Sequence, residues 1–205
     1  MKLHTDKDLA RDINALIDNE PKFKHALDAT GPIPLRRREG GYVSIIRTII
    51  GQQVSVASAN AIWGKLDHAG MTDLSTIAKT SFDDLRALGL SRQKATYLLA
   101  LAEANIDFDK LPALADIEVI KTLTAVKGIG NWTAEIYLMF ALGRPDVFAH
   151  NDLALQESTR ILFELDARPS EKEMKHIALN WSPYRNAASQ LLWAYYHFVK
   201  DRHGI

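Results

Sequence analysis

The chain contains no cysteine. That absence excludes a disulfide framework, a thiolate-ligated zinc site and a cysteine-bound iron–sulfur cluster. Net charge is also missing, since 25 Lys and Arg are balanced by 25 Asp and Glu. A nucleic-acid binder that works by bulk positive charge is disfavoured, whereas one that concentrates basic groups locally is not. No apolar run reaches the ~18 residues of a membrane span; Arg47, Gln52, Gln53 and Glu135 interrupt the longest ones. The opening Met1-Lys2-Leu3-His4-Thr5-Asp6 has no signal-peptide apolar core. A cytoplasmic location, or a nuclear one in a eukaryote, is expected, with no membrane partner. Strict alternation and Asn-Gly or Asp-Gly hairpin signals are absent. The seven histidines show no paired metal spacing, and there is no Gly-x-Ser-x-Gly elbow or phosphate-loop signature.

What remains is helical. At 205 residues and 47% apolar composition, the chain suits one domain or two small, closely packed lobes. Leu9, Ile13, Leu16 and Ile17 recur at spacings of three and four, as do Leu98, Leu101 and Ala102, and Leu191, Leu192, Tyr195 and Val199. Ser81 with Asp84, and Ser170 with Glu173, have the spacing of capping boxes. Ser91 and Asp116 mark further helix starts. Gly31-Pro32-Ile33-Pro34, Gly40-Gly41, Gly70, Gly89, Gly128-Ile129-Gly130 and Gly143-Arg144-Pro145 punctuate the pattern. About ten helices with short connections are predicted. Trp63, Trp181 and Trp193 read as helix-core residues.

Residues 116–152 carry the most information. Asp116 to Ala125 predicts a short helix and Asn131 to Leu142 a second, joined by Val126-Lys127-Gly128-Ile129-Gly130. Two glycines around one apolar residue let backbone approach a ligand and aim N–H groups outward beside a helix N-terminus, which suits a phosphate. A plain helical hairpin explains the glycines equally well.

Leu123-Thr124-Ala125-Val126-Lys127-Gly128-Ile129-Gly130-Asn131-Trp132-Thr133-Ala134 resembles the helix-hairpin-helix of the helix-hairpin-helix/Gly-Pro-Asp (HhH-GPD) DNA glycosylase superfamily. Leu142-Gly143-Arg144-Pro145-Asp146-Val147-Phe148 followed by Asn151-Asp152 resembles its loop and aspartate. Ile49-Ile50-Gly51-Gln52-Gln53-Val54-Ser55 and Trp181-Ser182-Pro183-Tyr184-Arg185-Asn186-Ala187-Ala188 resemble two signatures of its alkylated-base branch. The four motifs are in the family's order. They are most similar to 3-methyladenine DNA glycosylase II, in a compact form expected to lack the type member's N-terminal β-containing domain.

The resemblance implies an all-α, two-lobed fold with the active-site cleft between the lobes. One lobe would be residues 42–144, with the helix-hairpin-helix at about 116–142. The other would combine 1–41 with 145–205. The implied function is a DNA glycosylase that flips out alkylated, cationic purines such as 3-methyladenine and 7-methylguanine. It hydrolyses the N-glycosidic bond and leaves an abasic site for base excision repair. The partner would be double-stranded DNA containing alkylated bases, bound by a monomer. Two alternatives stay open: a glycosylase for another damaged or deaminated base, and a non-catalytic helix-hairpin-helix DNA-binding module.

The same resemblance implies the residue roles. Asp152 would be the catalytic carboxylate, although its place before Leu153-Ala154-Leu155 also suits a helix N-cap. Trp132 stands where bifunctional members carry a lysine, so a Schiff base and lyase activity are not expected. Trp132, Tyr184, Tyr42 and Gln52 would line the base pocket. Gln53 would plug the gap left by the flipped base. Gly128, Gly130, Thr133 and Lys127 would bind the DNA backbone. The Leu88-Gly89-Leu90-Ser91 turn with Lys94 is a weaker candidate for the same task. Carbonyls of Thr124, Val126 and Ile129 match positions that can hold Na+ or K+; no cofactor is expected to be required, and no iron–sulfur cluster. The zero net charge is then a cancellation. Residues 31–65 hold Arg36, Arg37, Arg38, Arg47 and Lys65 against Glu39, whereas 146–173 hold seven acids against three bases.

Overall fold

The computed structural model describes residues 2–203. Among these there is no strand, and no helix is long and apolar enough to cross a membrane. Twelve α-helices are described: α1 (Asp6–Asn19), α2 (Lys22–Thr30), α3 (Tyr42–Gly51), α4 (Val56–His68), α5 (Leu74–Ile77), α6 (Phe82–Ala87), α7 (Arg92–Glu103), α8 (Asp116–Thr124), α9 (Asn131–Ile136), α10 (Leu153–Phe163), α11 (Glu171–Ile177) and α12 (Arg185–His203). The chain divides into two compact units, Met1–Arg37 with Leu138–Ile205, and Arg38–Tyr137.

Local chemistry starts most helices. Ser81, Ser91 and Ser170 each accept a hydrogen bond from the N–H three residues on, those of Asp84, Lys94 and Glu173. Each satisfies a donor that has no partner within its helix. Glu173 completes a capping box by accepting from the Ser170 N–H at 2.8 Å. Asp116 is not a cap. The cap position is Ala115, and Glu118 accepts the Ala115 N–H at 3.0 Å.

In the unit formed by both ends of the chain, α12 packs against α10, α2 and α1. Leu9, Ile13 and Leu16 of α1 are buried together with Phe23, Leu155, Met174, Leu191 and Leu192. Trp181 is the largest fully buried side chain, and Phe23, Phe148 and Phe163 surround it at centroid distances of 5.3, 5.3 and 5.7 Å. Burying each such side chain contributes about 1.5–3 kcal/mol.

In the contiguous unit, α3 is the central element. It packs against α4, α7 and α9 and buries Ile45, Ile46, Ile49 and Ile50. Leu98 and Leu101 of α7 and Val119 and Leu123 of α8 complete this core. The second helix of the hairpin departs from expectation. It runs only to Ile136, then widens into a π turn over Tyr137–Ala141. The run Ile136–Leu142 is apolar throughout, so its pattern fits either winding. The π turn falls where one unit ends and the other resumes.

Candidate active site and nucleic-acid interface

The segment from Gly143 to Asp152 is shaped by side chains from its own unit. The Gly143 carbonyl accepts the Leu3 N–H at 2.9 Å. Asn186 of α12 donates its side-chain amide to the carbonyls of Arg144 and Met139 at 2.8 and 3.2 Å, and its backbone N–H to Pro145 at 2.9 Å. Gln190 donates to Asn186 and accepts the Arg36 N–H. Asp146 takes a two-pronged contact from Arg185, at 2.6 and 2.9 Å, and a third hydrogen bond from Ser182 at 2.8 Å. Burial opposes the charge of Asp146, but these donors outweigh it and hold its carboxyl below the usual carboxylate range.

Asp152 ends this loop as the N-cap of α10. Its Oδ1 accepts the N–H groups of Ala154 and Leu155 at 2.9 and 3.0 Å, and the indole N–H of Trp193 at 3.2 Å. The cap and the catalytic reading are therefore compatible: the bonds hold Oδ1 of the carboxylate at the helix end. Trp193 is 8% exposed and its ring lies 5.5 Å from that of Phe140. The sequence places Trp193 in the core, as observed, but gives no sign that its N–H reaches Asp152. Gln156 also supports the loop, donating to the His150 carbonyl at 3.0 Å. Tyr184 is half-buried just before α12, with its N–H on the Trp181 carbonyl at 2.7 Å.

In the contiguous unit, the hairpin turn between α8 and α9 holds itself closed by an Ile129 N–H bond to the Val126 carbonyl at 3.1 Å. Ile129 is buried beneath it. The two glycines differ. Gly128 has φ 93°, and a Cβ there would lie within the Tyr97 ring. Its glycine is demanded by packing and by backbone conformation. Gly130 is exposed with φ −91°, and a Cβ there would meet nothing. Nothing within the protein demands glycine at 130. It precedes α9, whose N-terminus has no side-chain cap. Lys127 is exposed, Trp132 is half-buried, and Thr133 is 2% exposed. Thr124 turns its hydroxyl back to the Ile120 carbonyl at 2.8 Å.

The Gln52-Gln53 segment lies against this hairpin. Gln52 donates its amide to the Thr133 hydroxyl at 3.3 Å. Gln53 is exposed and adopts φ 56°, unusual for a residue with a Cβ. Ser55 then caps α4. Tyr42 opens α3 with its ring 6.1 Å from Phe108 and its hydroxyl 3.5 Å from Asp73. Burial, then the Asp73 charge, push its phenol pKa up.

Two expectations are corrected. Lys94 is not an exposed basic group: it is 8% exposed, and its Nζ donates to the Ile50 carbonyl at 2.6 Å. Trp63 is not a core residue. It is only half-buried, and the Arg47 guanidinium covers its ring at 3.9 Å. Among the described residues no group of three or more His, Asp or Glu side chains is placed to hold a metal ion.

Known proteins resemble this chain in both sequence and fold. The chain is 33% identical over 165 residues to "Putative DNA-3-methyladenine glycosylase YfjP" of Bacillus subtilis, covering 74% of this chain and 58% of that protein. It is 33% identical over 162 residues to "DNA-3-methyladenine glycosylase 1" of Schizosaccharomyces pombe, covering 74% of this chain and 71% of that one. Among solved structures, the Schizosaccharomyces pombe 3-methyladenine DNA glycosylase in complex with abasic DNA superposes with a TM-score of 0.79. It is 28% identical, and the match covers 89% of this chain and 95% of that one. Residues 46–183 match the HhH-GPD superfamily of base excision DNA repair proteins, and the chain belongs to that family.

Proposed function

We propose that the protein is a monofunctional DNA glycosylase that removes alkylated, cationic purines from duplex DNA. The observation that carries this reading is the Asp152 carboxylate, aimed by two backbone N–H groups and the Trp193 indole in a chain of this family. Cleavage of an N-glycosidic bond passes through an oxocarbenium-like sugar. A fixed carboxylate opposite that developing charge stabilises it, and it orients or deprotonates the attacking water. The C–N bond breaks with its electron pair leaving on the base. An alkylated purine leaves as a neutral species, so no general acid is needed.

Trp132 has no amine, so water is the nucleophile and an abasic site the product. Trp132, Tyr184, Tyr42 and Gln52 would each contact the flipped base; an aromatic face attracts a cationic base, with a gain of about 1–2 kcal/mol when desolvated. Gln53, exposed in a left-handed conformation, would fill the stack left by the flipped base and hydrogen-bond its former partner.

The turn at Lys127, Gly128, Gly130 and Thr133 would hold one strand by its phosphates. The open space over Gly130 supports this. The carbonyls of Thr124, Val126 and Ile129 are neutral oxygen donors suited to Na+ or K+, and Val126 keeps one lone pair beyond its bond to Ile129. Such an ion would supply positive charge beside a phosphate, and the proposed reaction requires no cofactor. The protein would act as a monomer. The decisive experiment is base release from methylated duplex DNA, with each released base identified by chromatography, for the wild type and Asp152→Asn. Equal release by both would overturn the assignment.

A further inference from the structure

Lys94 occupies the first turn of α7, where a cation meets the positive end of the helix dipole. It is also buried, and desolvation pushes its pKa down. Both effects disfavour a charged lysine at this place. The compensating contact is its 2.6 Å hydrogen bond to the carbonyl of Ile50, 44 residues earlier. Ile50 lies in the last turn of α3, where carbonyls lack helical partners and carry partial negative charge. A charge-assisted bond to such a carbonyl is among the stronger ones available to a protein.

The Gln52-Gln53 turn comes directly after that helix end. Gly51 and residues 53–58 are exposed. Gln53 is held at φ 56°. Two side-chain ties flank the turn, Lys94 to Ile50 and Gln52 to Thr133. A lysine in direct contact with phosphate would have its ammonium in solvent, and Lys94 has it in the protein.

We propose that Lys94 is a positioning residue for base flipping: its ammonium, bonded to the Ile50 carbonyl, fixes the end of α3 and thereby holds Gln53 in the conformation that enters DNA. This rests on the reading of Gln53 as the plug. The test compares Lys94→Met, Gln53→Ala and the double variant in affinity for duplex containing a tetrahydrofuran abasic analogue and for undamaged duplex. Circular dichroism and melting establish that each is folded.

Lys94→Met is expected to lose about tenfold in affinity for the abasic duplex, the scale of one charged hydrogen bond, and less than about twofold for undamaged DNA. Gln53→Ala loses a similar amount, and the double variant loses no more than Gln53→Ala alone. Lys94→Arg, which keeps a cationic donor, recovers most of the loss. If Lys94→Met does not fold, Lys94→Gln takes its place in the same cycle. Impaired Gln53→Ala with unaffected Lys94 variants would overturn the positioning role alone. So would losses that multiply in the double variant. An unaffected Gln53→Ala would overturn the plug reading and this inference with it.

Discussion

The loop Gly143–Asp152 and the hairpin turn 125–130 solve a similar problem with different materials. The loop is held by side chains. Asn186 and Arg185 anchor its start, Gln156 supports its end, and Trp193 reaches its last residue. The hairpin turn is held by its own backbone bond and by packing against one ring, that of Tyr97. Yet each region contains a pair of like residues with divided roles. Asp146 is consumed by Arg185 and Ser182, while Asp152 is the one assigned to chemistry. Gly128 is consumed by Tyr97, while Gly130 faces open space. In each pair, substituting the first should cost stability and substituting the second should cost function.

The largest expected effect is at Asp152. Asp152→Asn should lower the single-turnover rate of base release by about 10³-fold or more, the scale of losing a charged stabiliser of the transition state. Asparagine caps helices as well as aspartate does, so the melting temperature and abasic-DNA affinity should hardly change. Gly128→Ala should lower unfolding free energy by about 2–4 kcal/mol, combining a left-handed alanine with a clash in a packed site. A urea titration checks it, and wild-type stability in this variant would break the division between the glycines.

Asp146→Asn should cost about 1–2 kcal/mol, since the pair is only partly buried, while leaving base release per folded molecule within a few-fold. Its pH dependence has a definite sign. The folded carboxyl titrates below the unfolded one. The pair's contribution is therefore full above the unfolded value of about 3.9 and is lost as pH falls through the folded value. Wild-type stability should decline across that acid range, and Asp146→Asn should lack that component. A steeper decline in the variant would contradict the arrangement.

Trp193→Phe retains a ring to pack on Phe140 and removes the donor to Asp152. The expected result is roughly tenfold slower base release with DNA affinity unchanged; a rate equal to wild type would deny the indole any positioning role. The smallest effect is at Gly130. Gly130→Ala should be nearly neutral in stability, because a weaker cap is offset by the reduced freedom of the unfolded chain. It should still bind DNA a few-fold more weakly, measured by anisotropy. Unchanged binding would mean that the open space over Gly130 is never filled.

What the sequence revealed divides by distance along the chain. The caps at Ser81, Ser91 and Ser170 were legible because donor and acceptor lie three residues apart. The helical character of nearly every element was legible because a 3.6-residue period is written locally. Lys94 was not, since its burial depends on a carbonyl 44 residues away. Nor was the Trp193 contact with Asp152, which spans 41 residues and leaves no pattern beyond an apolar helix face. The hairpin glycines were visible as a pair, but their inequality depends on where Tyr97 sits. Gln53 and Ser55 stand in a recognisable motif, whereas the left-handed backbone at Gln53 leaves no mark in the sequence.

The division of the chain also sets an order of events at the ribosome. Residues 38–137 form a compact unit from one unbroken stretch of chain, while the unit that carries Asp152 draws on residues from both sides of them. Phe23 meets Trp181 in the finished protein, and the stretch between them takes on the order of ten seconds to synthesise at ~5–20 residues per second. For most of that interval α1 and α2 have only each other for native cover, until α10 arrives to pack on α2 and bring Phe163 to 5.8 Å from Phe23. The half of the protein assigned to hold DNA can thus close its core first, and the half assigned to cut the glycosidic bond is the last to become competent.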